Sequence, residues 1–118
     1  IQTGIYGRKA KSMKLAMVVP DKEHQAMVME AIYGEKGVKA GYTDGYCKEV
    51  LLKAAEHLVK DKGAQALILG CTELPLILEE TDNLKLGDGH AAIVDPTSSL
   101  ARRVVKVAGE ITKIRGVR

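Results

Sequence analysis

Hydrophobic and polar positions follow two patterns along this chain, short apolar runs and helical repeats. Apolar runs at residues 15–19, 64–69 and 91–94 predict three buried strands, because strands covered on both faces carry apolar residues almost continuously. Between the runs, apolar residues recur every three or four positions, which is typical of helices with one buried face. The alternation predicts an α/β fold with three layers, in which helices cover both faces of a small, mainly parallel sheet.

Capping residues and glycines mark where the two central helices begin and end. Asp21 is expected to cap a helix that ends near Gly34 and Gly37. The next helix is expected to begin at residue 43 or 44 and to end at Gly63. The apolar positions of the two helices are Met27, Val28, Ala31 and Ile32, and then Cys47, Val50, Leu51, Ala54, Ala55 and Leu58.

The last third of the chain predicts one more strand and one more helix. We expect residues 79–89 to form a polar loop before the strand at 91–94. Asp95 then precedes Pro96, a favoured first residue of a helix. The apolar stripe of this final helix is Leu100, Ala101, Val104, Val105, Ala108 and Ile111.

Composition narrows the class of protein. The chain has 118 residues, which predicts one domain over residues 1–118. The net charge of +3, from 18 basic and 15 acidic residues, is weak and dispersed, so we expect no nucleic-acid partner. No apolar run approaches the length of a membrane span. Two cysteines do not form a disulfide framework, and we therefore expect a cytoplasmic protein without a membrane partner.

Cys71 is the strongest candidate for chemistry. It follows the apolar run at 64–69 and precedes a short helix with Pro75 in its first turn, so it lies at the carboxyl end of a strand, where open α/β sheets bind ligands. The positive end of that helix is expected to lower the thiol pKa and to attract a carboxylate. A thiolate beside a carboxylate site suits removal of an amino acid's α-proton. The structural alternative is a small buried apolar residue.

The neighbours of Cys71 carry weaker signals. Thr72 offers a hydroxyl for a helix cap or for a carboxylate. Glu73 is expected either to orient a substrate ammonium group or to be a first-turn carboxylate. Cys47 lies on an apolar helix face and is expected to be a core thiol.

Other ligand signatures are lacking in the sequence. The three histidines show no metal-ligand spacing, and we expect them on the surface or in loops without a metal site; they are His24, His57 and His90. No phosphate-binding or dinucleotide-binding glycine motif occurs.

The segment Gly-Cys-Thr-Glu-Leu-Pro-Leu at residues 70–76 resembles the second cysteine motif of aspartate/glutamate racemases. Further segments resemble the same family in the same order, so that the resemblance covers essentially the whole chain. They are residues 1–6, Val19-Pro20-Asp21 with Gln25, Ile32-Tyr33, Lys39-Ala40-Gly41 and Asp95-Pro96-Thr97.

The resemblance implies a fold of two similar domains, each of which supplies one cysteine to an active site between them. One thiol removes the α-proton and the other returns a proton on the opposite face, without pyridoxal phosphate or metal. Carried to this chain, Cys71 is one acid/base, while Thr72 and Lys39 bind the substrate carboxylate. Glu73, where other members have His, resembles the aspartate racemase branch. Without the resemblance, Lys39 would be interpreted as a loop lysine.

The resemblance covers the family's second domain only. No segment matches the first domain and its cysteine, so we expect the carboxyl-terminal half of such an enzyme. In related two-domain proteins a terminal helix can pack on the other domain. We also expect a homo-oligomer, because runs 15–19 and 64–69 would leave an open sheet edge.

Three functional hypotheses follow. The first is an amino-acid racemase acting on aspartate or glutamate. The second is a non-catalytic binding or structural module. The third is a related cysteine-dependent enzyme of the hydantoin racemase, maleate isomerase or arylmalonate decarboxylase type.

Overall fold

The computed structural model describes residues 4–115 and the side chains of residues 4–113. Residues 1–3 of the amino-terminal racemase-like segment therefore lie outside the described residues. The helices and strands are α1 (Ile5–Ser12), α2 (Lys22–Tyr33), α3 (Tyr46–Lys60), β1 (Ala66–Ile68), β2 (Thr81–Leu86), β3 (Gly89–Val94) and α4 (Pro96–Arg115). Two short 3₁₀ turns, Val38–Ala40 and Leu74–Leu76, connect them.

The two central helices form where the sequence predicts them. The carboxylate of Asp21 accepts a hydrogen bond of 2.9 Å from the His24 amide, which caps α2. Cys47, on the inner face of α3, is fully buried, so its prediction as a core thiol is confirmed. The two helices pack against each other, and α3 also contacts β2 and β3.

The three strands form a mixed sheet in the order β1-β3-β2. Strand β1 pairs with β3 in parallel, and β2 pairs with β3 in antiparallel fashion. The α/β class is confirmed. The prediction of a polar loop at residues 79–89 is wrong, because β2 and β3 form a hairpin. Gly87 makes the two-residue turn possible with a φ of 60°, which glycine adopts without steric cost.

The predicted strand at residues 15–19 is also wrong. This segment belongs to no strand, and Leu15, Met17, Val18 and Val19 are all exposed. A strand needs hydrogen-bonding neighbours, and none of the described strands pairs with this segment. The apolar character of the run does not by itself supply that partner.

One face of the sheet carries the core. Leu67, Ala91 and Ile93 point into a cluster with the buried residues of α2 and α3. The opposite face includes Ile68, which is 41% exposed, so β1 alternates where the sequence predicted burial on both faces. Within residues 4–113, α1 buries no residue, and the six residues of the predicted apolar stripe of α4 are all exposed, Val105 to 71%. The expected second helical layer therefore does not cover this face of the described sheet.

Candidate active site

Cys71 lies just beyond the carboxyl end of β1. The strand's pairing with β3 continues one residue further, where the Leu69 amide donates to the Val94 carbonyl at 3.0 Å. After Cys71 the chain turns, and the Leu74 amide donates to the Cys71 carbonyl at 3.2 Å. Leu74, Ile77 and Leu78 are buried and anchor the turn to the core. The thiol is left partly exposed at the end of the sheet.

Three donors converge on the carboxylate of Glu73. The Cys71 thiol donates to Oε2 at 2.9 Å, and the Thr72 hydroxyl donates to the same oxygen at 3.0 Å. The Lys39 ammonium group donates to Oε1 at 2.9 Å. The structure thus brings together all four residues that the sequence nominated. Their arrangement can hold a carboxylate and can hold a proton on sulfur.

Lys39 reaches this cluster from the turn that follows α2. Buried Val38 fixes the 3₁₀ turn Val38–Ala40 against the core, and Gly41 ends it with a φ of 97°. The Lys39 Nζ atom also lies 5.5 Å from the centre of the Tyr33 ring, within range of a cation–π contact. Tyr33 was not among the residues nominated for the site, because the resemblance of the Ile32-Tyr33 segment to the family attached no role to its side chain.

The charges in the cluster favour an ionised Glu73. Hydrogen bonds from Cys71, Lys39 and Thr72, in that order of effect, lower the pKa of Glu73 to about 2. The hydrogen bond to Glu73 in turn raises the pKa of Lys39. Both groups are therefore charged over the whole physiological range.

The pKa of the Cys71 thiol departs from the expectation. Partial burial, and then the hydrogen bond to the Glu73 carboxylate, raise the pKa of Cys71, whereas the sequence predicted a lowered pKa. The helical element after Cys71 is a single 3₁₀ turn of three residues, so it has little dipole with which to stabilise a thiolate. The resting thiol is consequently protonated.

Cys47 takes no part in the cluster. Its sulfur is buried in α3 and lies within hydrogen-bonding distance of the backbone carbonyls of Tyr42, at 3.6 Å, and Asp44, at 3.4 Å. Among the described residues, Cys71 is therefore the accessible thiol.

The expectation that the histidines lie on the surface or in loops is wrong for His57. Its side chain is buried on the inner face of α3, where it stacks against His24 of α2. These two rings and Asp21 form a compact group of potential metal ligands. The burial of His57 was predictable from the sequence. His57 follows Val50 by seven residues and Ala54 by three, and this spacing places the three residues on the same helix face.

No helix in the described part of the chain is both long and apolar enough to cross a membrane. No solved structure matches the chain. A curated relative is an uncharacterized protein in the pnlA 3′ region of Pectobacterium carotovorum subsp. carotovorum, which is 31% identical over 108 residues. That alignment covers 90% of this chain and 65% of the relative, so the chain spans about two-thirds of that protein's length.

A family-level match agrees with the cysteine motif and its geometry. Residues 2–104 match the sequence profile of the Asp/Glu/Hydantoin racemase family. The match includes the whole cluster around Cys71. The chain belongs to the Asp/Glu/Hydantoin racemase family.

Proposed function

We propose that this chain takes part in cofactor-independent racemisation of an amino acid, aspartate or glutamate, with Cys71 as one acid/base group. The observation that supports the proposal most strongly is the convergence of Cys71, Thr72 and Lys39 on one carboxylate. In the resting chain that carboxylate belongs to Glu73. The same donors suit the α-carboxylate of an amino acid.

Substrate binding is proposed to exchange one carboxylate for another. The substrate carboxylate takes the two donors that now bind Glu73, the Thr72 hydroxyl and the Lys39 ammonium group. The charged Lys39 donor makes the stronger of the two hydrogen bonds. Glu73 is then free to accept a hydrogen bond from the substrate ammonium group. This exchange would leave the α-carbon beside the Cys71 sulfur, which currently contacts Glu73 at 2.9 Å.

The proposed proton transfer needs one thiol on each side of the α-carbon. As a thiolate, Cys71 takes the α-proton, and the electron pair of the C–H bond passes into the substrate as a carbanion stabilised by its carboxylate. Return of a proton from Cys71 restores the original enantiomer, whereas return by a second acid on the opposite face inverts it. Cys47 is too deeply buried for that second role.

The protonated resting state of Cys71 determines whether it first donates or removes a proton. A thiol with a raised pKa is prepared to donate a proton, and it acts as a base only in its minority thiolate form. Proton removal by Cys71 should therefore accelerate as the pH rises toward the raised pKa. Loss of the acidic Glu73 side chain should shift that rise to lower pH.

The direct test is racemisation of L-aspartate and L-glutamate by the native protein, which must also supply the second acid, without added cofactor and followed by chiral chromatography. We expect turnover to disappear in Cys71→Ser and to persist in Cys47→Ala, whose thiol lies away from the cluster. Turnover by Cys71→Ser at the wild-type rate would contradict the proposal. Turnover of a 5-substituted hydantoin in place of both amino acids would instead favour the hydantoin racemase alternative.

A further inference from the structure

Two imidazole rings from different helices stack beside a carboxylate at the start of α2. His24 lies in the first turn of α2 and His57 near the end of α3. Their ring centres are 3.7 Å apart and their planes differ by 4°. The His57 side chain is only 6% exposed, while His24 and Asp21 are partly open to solvent.

The potential ligand atoms of this group lie close together. A nitrogen from each ring and a carboxylate oxygen of Asp21 all lie within 4.8 Å of one another. Asp21 Oδ1 is 2.7 Å from His24 Nδ1, and it also accepts the capping hydrogen bond of α2. Asp21 Oδ2 is 3.6 Å from His57 Nε2. Because the two ring planes are nearly parallel and imidazole lone pairs lie in the ring plane, the partly exposed His24 ring must rotate out of the stack before three ligands from two helices can reach one centre.

Asp61 prepares His57 as a ligand. Its carboxylate lies 2.8 Å from His57 Nδ1, which fixes the N–H on that atom and leaves the lone pair on Nε2. The Asp21 amide lies 3.5 Å from Nε2, which is long for a hydrogen bond, so the lone pair is poorly satisfied within the protein. A carboxylate behind a ligating imidazole is the usual support of a metal-bound histidine.

We propose that Asp21, His24 and His57 bind a divalent transition-metal ion, Zn²⁺ being the best match to two imidazoles and one carboxylate. Asp61 is a positioning residue that holds the His57 ring. Water supplies the remaining coordination position on the exposed side of the group. The ion joins the beginning of α2 to the end of α3, and none of its ligands belongs to the Cys71 cluster, so this site is independent of the proposed function.

The test is calorimetric titration of the full chain with Zn²⁺ after removal of metals by chelation, with the thiols kept reduced. We expect one ion per chain. The His24→Ala variant should bind at least about tenfold more weakly, and Asp61→Asn roughly 10- to 100-fold more weakly. His90→Ala is the matched control, because His90 is exposed on β3 and outside the group, and its affinity should equal that of the wild type.

Competing thiol ligation has its own control. If Zn²⁺ binds through Cys71, the Cys71→Ser variant loses the ion while His24→Ala keeps it, and this result would overturn the proposal. Absence of Zn²⁺ binding by the wild-type chain would also overturn it. His24 is partly exposed, and circular dichroism checks that its variant is folded. The spectrum of the Co²⁺-substituted chain provides a second measurement, because a sulfur charge-transfer band contradicts a site made of imidazole and carboxylate.

Discussion

Replacement of Gly37 by alanine tests how tightly the Lys39 turn is held against α2. Gly37 is buried, and a Cβ atom added to it would lie 2.9 Å from the carbonyl oxygens of Ala31 and Ile32 and 3.0 Å from that of Glu30. Even close carbon–oxygen contacts in proteins are about 3.3 to 3.6 Å. Because the φ of Gly37 is −86°, any alanine can adopt its backbone conformation, and the whole effect comes from lack of space.

The three carbonyl groups cannot move freely, because they end α2. The Glu30 carbonyl, for example, accepts a hydrogen bond of 2.8 Å from the Gly34 amide. Relief of the contacts must displace the turn instead, at a cost of about 1 to 3 kcal/mol, the usual range for overpacking. With an m-value of about 2 kcal/mol/M, the midpoint of urea unfolding should fall by roughly 0.5 to 1.5 M.

Displacement of the turn should also be detectable at the thiol. The positive charge of Lys39 lowers the pKa of Cys71, so withdrawal of Lys39 should slow alkylation of Cys71 by iodoacetamide at constant pH. Gly70→Ala is the control for stability, because a Cβ atom there meets nothing within 4 Å and its stability should stay within about 0.5 kcal/mol of wild type. If Gly37→Ala unfolds at the same urea concentration as that control, the steric reasoning is refuted.

Three further predictions concern the thiol, the core and association. Glu73→Gln removes the carboxylate that raises the pKa of Cys71, so alkylation of Cys71 should become faster at constant pH; an unchanged rate would count against the hydrogen bond. Ile93→Ala, in the central strand and 1% exposed, should cost about 2 to 5 kcal/mol in urea unfolding, whereas Val105→Ala on exposed α4 should cost less than about 0.5 kcal/mol; equal effects would contradict the assigned core. We expect light scattering to show a dimer or larger assembly, because one edge of β1 is unpaired within residues 4–115. The Ile68→Lys substitution in β1 should weaken this assembly. A monomeric wild type would contradict the expectation.

Local patterns were sufficient to predict α2, α3 and α4, but neither α1 nor all of the strands. The spacing of apolar residues located α2 and α3 because each helix buries one face within the described chain. The β2–β3 hairpin was missed although Leu84 and Leu86 alternate with polar residues before a Gly-Asp turn, since the many charged residues nearby favoured a loop. The run at residues 15–19 produced the opposite error, a strand predicted where none forms. Apolar composition predicts burial and says nothing about a pairing partner.

The members of the candidate site were predictable from the sequence, but their electrostatics were not. The motif at residues 70–76 nominated Cys71, Thr72 and Glu73, and the resemblance added Lys39. The thiol pKa was predicted in the wrong direction because it depends on facts that spacing does not contain. The thiol is partly buried, Glu73 folds back to accept a hydrogen bond from it, and the helix after Cys71 is only one 3₁₀ turn.

Exchange of the α-proton of aspartate in D₂O, followed by proton NMR, tests the role of Cys71 most directly, because one acid/base group is enough for exchange even where inversion needs two. We predict that the chain exchanges the α-proton of one enantiomer faster than the other, at a rate that rises with pH, and that Cys47→Ala retains this activity while Cys71→Ser loses it. Exchange that continues unchanged in Cys71→Ser, or no exchange by the wild-type chain, would contradict the assignment of Cys71 as an acid/base group.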